Sequence, residues 1–216
     1  MMEFLEAHVN LVIALGGAVG GAFISLVVGW LLRKRDYDLR LWDKLLERRI
    51  QAHENLIKVA LEMRVMVALG TVDAEGEVIR APQVLVSQEE FEQWFASAIN
   101  NCLAGSTWLS IDAKREASFL QDYLVTLHLH LQPIASEDYL SVGSIIRQDF
   151  IDISANLERV AFRFFEKDAR RLKLSNLDEW HKYPREQTEK RLKDTRLLQS
   201  WSEWSPLIQE TTTNGN

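Results

Sequence analysis

From Val9 to Leu32 the chain runs 24 positions without a charge, and only Asn10 and Ser25 among them are clearly polar. At 1.5 Å per residue such a run makes a helix of roughly 36 Å, enough to cross a hydrocarbon core of ~30 Å with some tilt. It lacks the polar face of a helix packed on a water-exposed core. Its acidic start (Glu3, Glu6) and its ending Trp30-Leu31-Leu32-Arg33 do not suit a cleaved leader, which has a basic beginning and a small-residue cleavage site. The pattern predicts a retained membrane span over 9–32. Arg33, Lys34 and Arg35 follow at once, so the positive-inside bias predicts residues 1–8 outside and everything after 33 in the cytoplasm.

Beyond the span the pattern turns amphipathic. A stripe of Trp42, Leu46, Arg49, His53, Leu56, Ala60, Met63 and Val67 keeps a 4-3-4-3 spacing, and Leu45, Ile50, Ile57 and Leu61 widen it. Without Gly or Pro between Arg33 and Leu69, the spacing predicts a stalk-like first helix over 33–69 that extends the span. Residues 70–86 read as a loop with a short hairpin around Asp73-Ala74-Glu75-Gly76. Ser87 with Glu90 three residues on is a capping box opening a second helix that runs to about Leu103, before Gly105. A third helix is predicted from Ser110 to Leu131, with Ala113, Leu120, Leu124, Leu127 and Leu131 on one side, stopped by Pro133. A fourth runs from Ser136 to about Leu174, with Ile146, Phe150, Ile153, Leu157, Val160 and Phe164 as its core face. After Asn176 and Pro184, a last helix is predicted over 185–204, with a disordered polar tail at 205–216. The fold class is therefore all-α: a transmembrane helix continuing into a cytoplasmic bundle of about five helices over 33–204.

Composition changes this picture little, but charge divides it. The net charge of −6 argues against a dedicated nucleic-acid binder. Residues 33–69 carry +3, residues 70–162 carry −9, and residues 163–196 carry +4. The basic segments suit an anionic lipid surface or, equally, ordinary solvated helix faces. The lone Cys102 rules out a disulfide within one chain, and no zinc-type cysteine spacing exists.

Few constellations carry chemistry. Gly17, Gly21, Ser25 and Gly29 recur every four residues in the span, and small residues at that spacing let two helices approach closely in lipid. They predict a homo-oligomer. Arg49 and His53 interrupt the apolar stripe, where polar residues set the register or partner of a helical seam. His128 and His130, two apart on a helix, point to different sides and do not share a metal. Trp201 and Trp204 follow a basic run and suit either a membrane interface or closure of the core. No nucleotide loop, catalytic triad or paired-carboxylate motif is present, so the sequence calls for no cofactor.

Arg48 and His53 also form an Arg, four residues, then His motif. In this the chain resembles HEPN-type proteins, helical bundles whose ribonuclease members pair such a motif across a dimer. Its layout is similar to that of the small membrane-anchored HEPN-like pore proteins that accompany type VI-B CRISPR effectors. The position after Arg48 is a second Arg, where that family favours Asn, Asp or His. The resemblance implies a bacterial inner-membrane protein of antiphage defence. Two functions are expected: from the span, ridge and stalk, a self-associating scaffold, accessory or membrane-perturbing effector; from the resemblance, a tethered ribonuclease using Arg48 and His53.

Overall fold

A computed structural model describes the backbone of residues 2–72, 74, 76–168 and 182–206, with side chains from residue 20 onward except residue 168. It is mostly helical and divides into two compact units, 1–47 and 48–216. The first helix, α1 (Met2–Met63), runs through both.

In the first unit, α1 carries the uncharged run. Phe23, Leu26 and Trp30 are 67%, 73% and 62% exposed, and Ile24, Val28, Leu31 and Leu32 are also open. Among the described residues no helix is long and apolar enough to cross a membrane. The expected span starts at residue 9, and the side chains of residues 1–19 lie outside the described set.

The second unit has one core. It is built from Leu56, Val59, Ala60 and Met63 of α1, together with buried residues of α2 (Gln88–Leu103), α3 (Ile111–Leu131) and α4 (Tyr139–Arg163). The predicted faces are buried as the spacing requires: Leu120, Leu124, Leu127 and Leu131 on α3, and Ile146, Phe150, Ile153 and Leu157 on α4. The Ser87 hydroxyl accepts the Glu90 N–H at 3.2 Å and so caps α2. Gly105, at φ +75°, follows its end. An added Cβ there would stand 3.3 Å from Ala52 Cβ, so both the left-handed turn and the close approach ask for glycine.

The helix expected over 33–69 does not reach Leu69. It stops at Met63, and the chain turns into an antiparallel hairpin of β1 (Met66–Val72) and β2 (Val78–Pro82), with Met66 opposite Pro82 and Ala68 opposite Arg80. Asp73 and Glu75, at the expected turn, lie outside the described residues. The cause is tertiary. Val65, Val67 and Val72 are β-branched, Val78 and Ile79 supply a partner strand, and Ala81 and Leu85 bury against Gly143 of α4. The Arg64 side chain then ties the end of α1 to α4. It donates from Nε to Ser154 Oγ at 2.9 Å and pairs with Glu158.

The α-helical part of the fourth helix ends at Arg163. A π-turn covers Phe164–Asp168, and 169–174 lie outside the described residues. The expected helix over 185–204 is three pieces: α5 (Arg185–Lys193), α6 (Arg196–Gln199) and α7 (Trp201–Trp204). Thr195 breaks the first from the second by turning its hydroxyl back onto the Leu192 carbonyl at 2.6 Å. The described residues thus hold seven helices and a hairpin. Of the tail, 207–216 lie outside them.

Candidate functional site

His53 sits one turn beyond Arg49 on α1 and is fully buried. Its Nδ1 lies 2.7 Å from the Arg49 carbonyl oxygen, which can only accept, so Nδ1 carries the proton. Nε2 is then an acceptor. It receives the Ser110 N–H at 3.2 Å and stands 3.3 Å from the Ser110 hydroxyl, closing off a backbone donor at the start of α3. The imidazole stacks on Phe164 with ring centres 3.8 Å apart and planes 10° from parallel. The π-turn that ends α4 begins at this phenylalanine. Arg49 lies over the same ring at 4.8 Å, and Arg48 lies over Trp108 at 5.5 Å.

The stripe position read as a seam for a second copy is therefore filled by the chain's own α3 and α4. Both His53 nitrogens are engaged and the ring is shielded from solvent, whereas acid–base catalysis on RNA needs a nitrogen within reach of substrate. As placed, the residue pins α1, α3 and α4 together. Its partners are distant in sequence (Ser110 is 57 residues on), and the local spacing carries no sign of them.

The small-residue ridge lies on the first unit. A Cβ added at Gly21 or Gly29 would meet nothing within 4 Å, and Ser25 is exposed. The side of the helix at Gly17 lies outside the described residues.

Two buried acids were not singled out from the sequence. Glu116 on α3 takes a two-pronged contact from Arg191, at 3.1 and 2.9 Å, and the Tyr183 hydroxyl at 2.5 Å. Arg191 also covers the Phe119 ring at 3.8 Å. Burial, then the Glu116 carboxylate, push the Tyr183 hydroxyl up to about 12. Asp149 on α4 accepts the backbone N–H groups of Arg196 and Leu197, at 2.7 and 2.8 Å, and the Tyr123 hydroxyl at 3.2 Å. Burial raises its carboxyl above the ordinary 3.8 even though these donors pull it down. Together the two acids hold residues 183–204 onto the bundle. The available signal was an acid on each core stripe: Glu116 between Ala113 and Leu120, and Asp149 between Ile146 and Ile153.

The histidines of α3 part as the helical spacing requires. His128 stacks on Phe95 at 5.0 Å, while His130 donates to the Thr126 carbonyl at 2.7 Å and meets Trp201 and Trp204 edge-on at 4.8 and 5.7 Å. Trp204 is buried and Trp201 is partly open, so this pair closes the core. Among the described residues no group of three or more His, Cys, Asp or Glu side chains could hold a metal ion. In comparisons with known proteins, the chain matches no family model, no curated protein and no solved structure.

Proposed function

We propose that the chain is a single-pass membrane-anchored helical-bundle protein that self-associates through its span. In this reading it acts as a scaffold, accessory or membrane-perturbing effector, with its bundle on the cytoplasmic side of a bacterial inner membrane. One observation carries the reading: between residues 20 and 32 the apolar side chains of α1 stand open to solvent, and Arg33, Lys34 and Arg35 follow directly. Eight large apolar side chains are exposed there, from Phe23 to Leu32. At ~1.5–3 kcal/mol for each that could be buried, on the order of 10 kcal/mol goes unrecovered in water. Lipid around the helix recovers it, and the uncharged residues from Val9 onward supply the rest of the thickness.

Self-association rests on Gly21, Ser25 and Gly29, which leave one ridge of that helix open. The polar stripe residue of the bundle, His53, is used within the chain. The test replaces Gly21 with Ile and measures association in a bacterial membrane two-hybrid assay. Association should fall severalfold while the thermal melting of the bundle is unchanged. Undiminished association would remove the span from the interface.

A further inference from the structure

At the junction of α2 and α3 the second unit has a cavity of about 440 Å³. That lies within the usual range for small-molecule sites, about 300–1,000 Å³. Its polar lining consists of Ser106, Thr107, Lys114, Ser118, Gln121 and Lys182, over an apolar floor that includes Leu109. Among the described residues no Asp or Glu lines it, although residues 70–162 together carry −9. Among the described residues no ion pair engages Lys114 or Lys182.

Two ammonium groups, three hydroxyls and an amide form a donor-rich wall, with no carboxylate among its described lining residues. This is the chemistry that recognises a phosphate monoester: several donors, charge-assisted, around a compact dianion. A phosphate alone would fill only a small part of the volume, so the rest of the ligand lies along the apolar floor. We propose that this cavity binds a phosphomonoester of about mononucleotide size, with Lys114 and Lys182 on the phosphate.

Burial, and then the Arg49 guanidinium, hold the Lys114 amine below its ordinary 10.5. A dianion beside it reverses that shift, so binding at alkaline pH takes up protons. Cys102 also lines the cavity, but burial pushes its thiol up to about 12. It stays a neutral thiol at physiological pH, and the site is one for binding rather than covalent chemistry.

The test is calorimetric titration of the full chain in detergent with 5′-AMP, with adenosine as the phosphate-free control. Dioctanoyl phosphatidic acid, against dioctanoyl phosphatidylcholine, asks whether the phosphate belongs to a lipid. AMP should bind, adenosine at least about tenfold more weakly. Lys114→Met and Lys182→Met should each weaken AMP by about tenfold or more, the loss expected when a hydrogen bond to a charged group is removed. Lys190→Met, outside the cavity, should leave binding unchanged. Binding of phosphatidic acid alone, lost in Lys114→Met, supports the same site with a lipid headgroup as its ligand. Should Lys114→Met fail to fold, the exposed Lys182 supplies the same comparison. Binding of neither phosphate, or equal binding by wild type and a folded lysine variant, overturns the proposal.

Discussion

Replacing Asp149 with Ala removes a carboxylate that accepts from three donors at once: the Arg196 and Leu197 N–H groups and the Tyr123 hydroxyl. A buried donor left without a partner costs ~1–3 kcal/mol, so three would cost up to ~9 if all stayed buried. They need not, because residues 183–204 can lift away and let water reach the two N–H groups. The expected loss is therefore about 3–5 kcal/mol, a large part of the ~5–15 kcal/mol that keeps a domain folded. Urea unfolding followed by tryptophan fluorescence measures it, since Trp204 is buried on the same run. Limited proteolysis should cut faster between Lys190 and Arg196. An unfolding free energy within about 0.5 kcal/mol of wild type, with no faster cutting, would refute the idea that Asp149 holds this run. The pH dependence has a definite sign. The folded-state carboxyl titrates above the unfolded value of 3.8, so the folded protein holds the proton more tightly. The contribution of Asp149 is then constant well above its folded-state value and grows more favourable as pH falls from there toward 3.8. The stability gap between wild type and Asp149→Asn should widen on acidification, opposite to the behaviour of a salt-bridged carboxylate.

Two further outcomes follow from packing. Gly143→Ala would bring a Cβ to 3.2 Å from Ala81 and 3.3 Å from Leu85, so it should lower stability by about 1 kcal/mol despite the better helix propensity of alanine; a raised melting temperature would mean that the hairpin yields freely. His53→Leu removes the acceptor for the Ser110 N–H and the stack on Phe164, and should cost about 1–3 kcal/mol in thermal melting; wild-type protein should cleave no RNA, and cleavage abolished in a folded His53→Ala variant would reinstate the Arg48–His53 ribonuclease.

What was legible in the sequence was local. The Ser87–Glu90 cap, Gly105, Pro133 and the apolar stripes of α3 and α4 mark their elements by chemistry that acts within a few residues. The hairpin was legible at its turn, around residues 73–76, but the start of its first strand was hidden because Val65 to Leu69 fits a helical stripe as well as a strand. Only the burial of Ala81 and Leu85 against α4 decides for the strand. The breaks at Thr195 and Ser200 were hidden for a related reason: Asp149, which takes the first N–H groups of α6, sits 47 residues away. His53 was visible as an oddity on an apolar face, but its partners come from α3 and α4.

Membrane topology tests the central claim most directly. In a Cys102→Ser background, single cysteines replace Glu3 and Asn216, and intact cells are treated with a membrane-impermeant maleimide. The account predicts labelling at position 3 in intact cells and at position 216 only after lysis. Labelling at 216 from outside, or protection of both positions until lysis, would contradict a span that leaves the bundle in the cytoplasm.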